Sequence, residues 1–284
     1  MSEVAMQVGF IGVGNIGKPM AEQLAKPTFD LTVFDVAAAA TEPFAGRARI
    51  AGSPAELGRH ADIVGICVRH DADVTAVVTA SDGLLETLQP GAIIAIHSTV
   101  RPATVRTLAD MAAAKGVHVL DAAVSGGPAG ATARKLVAMV GGDDEPVARL
   151  RPMLEAFSGT IIHAGASGTG MALKLCNNLV TYMQLQAAIE GFGLAAAGGL
   201  DEAVLRNVMA ANGNLTTAMG QYLDFCNNGP AQLGQDAYQA FKDATAGLAE
   251  KDLDFALAFA EDVGFQLKGA ETIRQIIRAG LKSR

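Results

Sequence analysis

The chain has 284 residues and a formal charge of −7, from 22 basic and 29 acidic side chains. Half of its residues are hydrophobic and 18% are charged, which excludes a disordered chain and leaves length for roughly two domains of about 150 residues each. No Lys/Arg cluster is present to release counterions from a polyanion, so nucleic acid is excluded as a partner.

Met1 to Gln7 has no basic segment ahead of an apolar stretch, and no signal peptide is expected. From there, short β-rich runs alternate with helical stretches: Gln7 to Ile11, Leu31 to Asp35, Ile63 to Val68, Ala92 to Ile96, Val117 to Leu120, Leu136 to Val140 and Thr160 to His163. Strands separated by helices imply βαβ crossovers, hence an α/β fold with a mostly parallel, doubly wound sheet. Past Gly168 the chain turns to long Ala/Leu/Met-rich segments, Met171 to Ala197, Ala203 to Ala211 and Ala246 to Glu261, which read as an all-α domain. The small-residue turn from Ala164 to Gly170 marks the border and gives domains of 1–163 and 164–284. The longest apolar run, Leu179 to Leu200, is interrupted by Gln184, Gln186 and Glu190 and reads as a buried helix, so no membrane is expected as a partner.

Gly12-Val-Gly14-Asn15-Ile16-Gly17 directly follows the first strand and opens a helix containing Met20 and Leu24. This is the Rossmann dinucleotide-binding pattern: Gly12 permits a tight turn, Gly14 lets the backbone approach a pyrophosphate, and Gly17 lets the helix pack on the strand. The helix start adds free N–H groups and the positive end of a dipole. Asn15 and Ile16 within the turn, and Val68 closing the third strand, join the cofactor-binding set. Asp35 lies 18 positions after Gly17, near the spacing at which a carboxylate accepts hydrogen bonds from an adenosine ribose and repels a 2′-phosphate. Val36-Ala37-Ala38 supplies no Arg for such a phosphate, so NAD is expected over NADP.

Two further segments carry chemistry. The run Asp121 to Pro128 ends a strand in Ser125-Gly126-Gly127, whose backbone N–H groups could form a nest for a carboxylate. The helix that starts near Gly168 places Lys174 and Asn178 one turn apart on one face. Lys174 stands among Ala172, Leu173, Leu175 and Cys176, where desolvation and the helix N-terminus both favour a neutral amine. Cys176 falls on another face and reads as a buried packing thiol. Cys67, Cys176 and Cys226 are widely spaced and read as reduced thiols of a cytoplasmic protein. Phe192, Phe225, Phe255 and Phe259 read as core and dimer interface. His60, His70, His97, His118 and His163 are scattered, read as surface or strand-end residues, and imply no metal site.

In this order and spacing the segments resemble the β-hydroxyacid dehydrogenase family, which includes 3-hydroxyisobutyrate dehydrogenase and tartronate semialdehyde reductase. The resemblance spans essentially the whole chain: Gly9 to Met20, Ser98-Thr99, Ser125-Gly126-Gly127, Val140-Gly141-Gly142, Lys174-x-x-Asn-Asn178 and Lys251-Asp252-Leu253. It implies a Rossmann domain joined to a helical domain that also dimerises, with the active site between them, in a homodimer or homotetramer. It further implies Lys174 as catalytic acid/base with Asn178 beside it, and Ser125, Gly126 and Gly127 on the carboxylate of a small 3-hydroxy acid. Thr99 and Lys251 would touch the nicotinamide cofactor.

The chain departs from the family pattern in places. Ala123 stands where many members have Pro, His97 precedes Ser98 without the Asp often found upstream, and the tail stops soon after Lys282. Ala211 to Thr217 and Gln221 to Gln235 leave the substrate open, with Asn212, Asn214 and Gln221 readable as a polar rim or as helix caps and loop residues. An imine reductase is the alternative enzyme, opposed by Lys174, where such enzymes usually carry Asp or Tyr, and by Asp35, since they often prefer NADP. A non-catalytic dinucleotide-binding oligomerisation module would lack the lysine. A full 6-phosphogluconate dehydrogenase would carry a longer helical extension.

Overall fold

The computed structural model describes residues 5–283, so residues 1–4, part of the segment read for a signal peptide, lie outside the described residues. The elements are β1 (Met6–Ile11), α1 (Gly17–Leu24), β2 (Phe29–Phe34), α2 (Ala38–Thr41), β3 (Arg49–Ile50), α3 (Pro54–Gly58), β4 (Ile63–Ile66), α4 (Asp71–Thr79), β5 (Ile93–Ile96), α5 (Pro102–Ala113) and β6 (His118–Ser125). They continue with α6 (Gly127–Thr132), β7 (Leu136–Gly141), α7 (Asp144–Glu155), β8 (Ser158–Gly165), α8 (Thr169–Ala197), α9 (Glu202–Ala211), α10 (Thr217–Leu233), α11 (Gln235–Asp262) and α12 (Lys268–Lys282). The chain divides into two compact units, Met1–Lys174 and Leu175–Arg284. The division falls inside α8, so the helix begins in the first unit and continues in the second.

The first unit is one eight-stranded sheet in the order β3-β2-β1-β4-β5-β6-β7-β8. Side chains alternate across a strand, and β5 shows the result: Ile93 and Ala95 enter one apolar layer, Ile94 and Ile96 the other. Helices cover both faces, which is why β4 and β5 are buried at every position and read as unbroken apolar runs. One strand escapes sequence reading: β3 is a two-residue exposed edge, too short to carry a period. Every neighbouring pair is parallel except β6 and β7. The connection between those two is short, with α6 its only helix, and it cannot carry the chain back across the sheet, whereas α7 supplies a full crossover between β7 and β8.

A buried carboxylate closes this unit. Asp121, in the middle of β6, accepts hydrogen bonds from the backbone N–H of Gly168 at 2.8 Å and of Met171 at 2.6 Å. It thus satisfies orphan donors at the start of α8, as an N-cap side chain would, but from a neighbouring strand. Burial pushes its carboxyl above the usual range, and the amides of Gly168, Met171 and Gly170 pull the other way. Two glycines let the helix come this close. A Cβ on Gly170 would lie 2.5 Å from the Met139 carbonyl oxygen, and one on Gly141 would lie 2.5 Å from Asp121 Oδ1.

His97 is a strand-end histidine, as expected, but a buried one. It follows the last residue of β5 but is 2% exposed, stacked on Phe10 at 5.8 Å and met edge-on by Phe157 at 5.6 Å. Its Nδ1 lies 2.8 Å from the Ala122 carbonyl oxygen. Because a carbonyl only accepts, Nδ1 carries the proton and Nε2 is left as a buried acceptor with no hydrogen-bond partner. Burial lowers its pKa to about 4.

The second unit is helical. Tyr182, Leu185 and Ile189 of α8 pack with Ala246, Ala249 and Leu253 of α11 and with Ile277 and Leu281 of α12. Ala188 and Phe192, also of α8, pack with Met219 and Leu223 of α10. Phe192 is core as expected, while Phe225, Phe255 and Phe259 are only half-buried, Phe225 lying against Tyr238 and Phe241. Among the described residues, no helix is long and apolar enough to cross a membrane.

Two outcomes follow for stability. Replacing Asp121 with Ala leaves two buried N–H groups without acceptors and lowers the unfolding free energy by about 2–5 kcal/mol in urea titrations; an unchanged midpoint would contradict the capping role. His97 binds its proton more weakly folded than unfolded, so stability is highest above pH 6.5 and declines as pH falls toward 4. His97→Gln should flatten that decline, worth about 3 kcal/mol at full extent, when unfolding is compared at pH 7 and pH 4.5.

Candidate active site

The sheet order reverses between β1 and β4, and the crevice outside the carboxyl ends of such strands is where a doubly wound sheet takes its ligand. Gly12 leaves β1 there with φ +88°, and a Cβ on it would lie 2.3 Å from the Cys67 carbonyl oxygen. A Cβ on Gly17 would collide with the Gly12 carbonyl, whereas one on Gly14 would meet nothing within 4 Å. Gly12 and Gly17 are therefore demanded by the turn itself. Gly14 is not, and its exposed backbone, with Asn15 exposed and Ile16 half-buried beside it, fits the approach of a pyrophosphate.

Asp35 follows β2 and is fixed at both oxygens: Oδ2 accepts from Val13 N–H and Oδ1 from Ala37 N–H, each at 2.9 Å. Each oxygen keeps a further lone pair for a ribose hydroxyl. Val68 sits over the same turn, its Cγ1 being 3.1 Å from where a Gly12 Cβ would stand. Its N–H donates to Ser98 Oγ at 2.8 Å, which ties the ends of β4 and β5 together and leaves Thr99 half-buried at the next position. The residues of the first unit expected to bind the cofactor thus gather at one end of the sheet. Burial pushes the thiol of Cys67, at the same end, up to about 12, which disfavours its thiolate.

The segment expected to hold a carboxylate leaves β6 at Ser125. Gly126 (φ +125°) and Gly127 (φ +63°) take backbone conformations that other residues resist, and a Cβ on Gly127 would meet nothing within 4 Å. Lys174 is 8% exposed, and it lies less than one helical turn past Met171, whose N–H is bound by Asp121. β6 therefore anchors the start of α8 at Asp121 and presents Ser125-Gly126-Gly127 four residues later.

In the second unit, Asn178 Nδ2 donates to Asp252 Oδ2 at 2.8 Å, and the Tyr182 hydroxyl donates to the same oxygen at 3.0 Å. Lys251 Nζ is 3.1 Å from Asp252 Oδ1 and 5.0 Å from the centre of the Phe255 ring. The Asp252 side chain is 1% exposed, so these contacts replace the water that a buried carboxylate loses. Burial and the neighbouring Asp252 push the Tyr182 hydroxyl above its ordinary range, which keeps it a donor.

Besides the burial of His97, three residues were missed or misread from the sequence. Asp121 is a lone acid inside a β run, a pattern that signals a buried partner. Asp252 lies within a recognised motif, and its role is set by a residue 74 positions away. Cys176 was expected to be buried and is exposed, because its side of α8 opens onto an apolar groove lined by Leu179, Phe259, Val263 and Phe265. Asn212 caps the end of α9 and Thr216 the start of α10, whose first-turn Met219 N–H it accepts. Among the described residues, no three His, Cys, Asp or Glu side chains converge as a metal site would require.

Two family models match the chain: the NAD binding domain of 6-phosphogluconate dehydrogenase over residues 7–165 and the NAD-binding domain of NADP-dependent 3-hydroxyisobutyrate dehydrogenase over residues 168–284. An uncharacterised oxidoreductase of Mycobacterium tuberculosis is 40% identical over 97% of this chain and 93% of its own length. The NAD-dependent L-serine dehydrogenase of Pseudomonas aeruginosa is 36% identical over 76% of this chain and 73% of its own. The structure of Mycobacterium tuberculosis 3-hydroxyisobutyrate dehydrogenase with L-serine superposes with a TM-score of 0.84 at 31% identity, covering 99% of this chain and 94% of that one. The glycine turn, the acid after β2 and these matches along both units agree: the chain belongs to the β-hydroxyacid dehydrogenase family of NAD-binding oxidoreductases acting on CH–OH groups.

Proposed function

We propose that the protein oxidises a small 3-hydroxy acid with NAD, Lys174 serving as general acid/base. The observation that carries this reading is the burial of Lys174 just past a helix start that Asp121 anchors to β6, the strand that ends in Ser125-Gly126-Gly127. The nest of N–H groups at 125–127 holds the substrate carboxylate, which leaves the 3-hydroxyl to reach the lysine. NAD, when bound, supplies the ring that accepts hydride from the carbinol carbon. During oxidation the Lys174 amine takes the hydroxyl proton, and in the reverse direction its ammonium returns that proton to the alkoxide as it forms. Asn178, one turn further along α8, orients the same oxygen.

Gly12, Gly14, Asn15, Ile16, Gly17, Asp35 and Val68 would hold the dinucleotide, and Thr99 and Lys251 are the further residues proposed to touch it. L-Serine and 3-hydroxyisobutyrate are the first substrates to try: both are 3-hydroxy acids, and both occur in the descriptions of the relatives. The three free thiols support a reducing compartment such as the cytoplasm. Exposed Leu194, Val204 and Val208 on the helical unit support a homodimer or homotetramer.

Lys174→Ala should bind NAD as the native protein does while losing about 10²–10⁴-fold in kcat, followed by absorbance of the reduced nicotinamide across a panel of small 3-hydroxy acids. Undiminished kcat would refute the assignment. The native protein should prefer NAD over NADP in fluorescence titrations, and Asp35→Asn should shrink that preference about tenfold or more by removing the charge that repels a 2′-phosphate. Equal affinities in the native protein would overturn the NAD reading.

A further inference from the structure

The loops that follow β4 and β5 are tied to each other twice. The first tie is the hydrogen bond from Val68 N–H to Ser98 Oγ at the strand ends. The second joins the starts of the two helices. Asp71, the first residue of α4, accepts at Oδ1 from the Arg101 N–H at 3.1 Å and from the Thr104 hydroxyl. The exposed Arg101 guanidinium adds a weak ion pair, its Nε 3.5 Å from the same oxygen. Asp71 Oδ2 is buried and has no hydrogen-bond partner among the described residues, so one oxygen carries the whole tie. Pro102 opens α5 and keeps Arg101 extended (φ −70°, ψ 142°), which leaves the Arg101 N–H outside the helical ladder and available to Asp71. Thr99 and Val100 are thus enclosed between the two ties.

We propose that Asp71 is a positioning residue for the cofactor: by holding the start of α5 to the start of α4 it fixes the β5–α5 loop, with Thr99 in it, in the arrangement that receives the second half of the dinucleotide. The strand order supports this. β4 and β5 stand on the opposite side of the switch point from β2, which Asp35 follows, and each side of a doubly wound sheet takes one mononucleotide. With Asp35 assigned to the adenosine ribose, the tied loops fall to the other mononucleotide. Without the Asp71 carboxylate the loop past Ser98 loses its second anchor, and the apparent affinity falls by the fraction of molecules in which the loop is out of place. This inference rests on the cofactor roles given to Asp35 and Thr99 above.

The test titrates NADH, by its fluorescence, and ADP, by calorimetry, into native protein, Asp71→Ala, Thr104→Val and the double variant. ADP carries the adenosine and the pyrophosphate without the second ribose or the nicotinamide, so it reports the side of the site that the tie does not hold. Asp71→Ala should weaken NADH about tenfold, the scale of one hydrogen bond to a charged group, and leave ADP within about twofold. Thr104→Val should weaken NADH selectively as well, and the double variant should be no weaker than Asp71→Ala, because both changes break one tie. Thr104→Val keeps the shape of the side chain and the charge of the site, so it tests the tie even where Asp71→Ala fails to fold. A loss shared equally by NADH and ADP is what a merely structural role gives, and it would overturn the proposal. Unchanged NADH affinity in either single variant, or losses that add in the double variant, would do the same. Native protein that binds neither ligand would overturn the dinucleotide reading and this inference together, whereas native binding of both with no selective loss in the variants overturns this inference alone.

Discussion

The carboxylate of Asp121 is the constraint on which the start of α8, and with it the position of Lys174, depends. A buried acid in the centre of a sheet is costly unless its lone pairs are filled. Here two N–H groups at the start of α8 fill them, groups that would themselves be orphans at a helix end. Acid and helix start thus solve each other's problem. The solution requires the backbone of the α8 start to lie against β7, where Gly141 and Gly170 remove the Cβ atoms that would forbid it. The family motif Val140-Gly141-Gly142 thereby acquires a physical reason: it is a helix-docking surface whose consequence is the placement of Lys174.

The cofactor end of the sheet uses a similar economy. Asp35 orders the glycine turn through Val13 N–H and the chain after β2 through Ala37 N–H, so the residue proposed to set the preference for NAD also shapes the loop beside it. Ser98 does the same between β4 and β5 by accepting from Val68 N–H. Exchanging Asp35 for a residue without a carboxylate would remove both hydrogen bonds and disturb the loop geometry.

The helical unit repeats the device with Asp252, whose two oxygens meet Asn178, Tyr182 and Lys251. At Asp121, at Asp35 and at Asp252 Oδ2 an acceptor-only group meets donors, which fixes orientation as well as satisfying charge, while Asp252 Oδ1 has the Lys251 ion pair and no hydrogen-bond partner. His97 is the counterexample within the same protein. Its Nε2 has no donor, its ring is held by Phe10 and Phe157, and the cost appears as a depressed affinity for protons.

The sequence by itself determined the doubly wound sheet, the glycine turn with Asp35, and Lys174 one turn from Asn178, because each rests on spacing along one strand or one helix. It could not reveal the two-residue strand β3, the burial of His97 or the exposure of Cys176, since those depend on what packs against them from elsewhere. Tertiary structure alone decided that Asp121 serves α8 from 47 residues away and that Asp252 serves Asn178 from 74 residues away. A lone acid in an apolar run announces that a partner must exist, but which backbone amide or side chain answers it is chosen only when the chain has folded back to bring the donor within hydrogen-bonding distance.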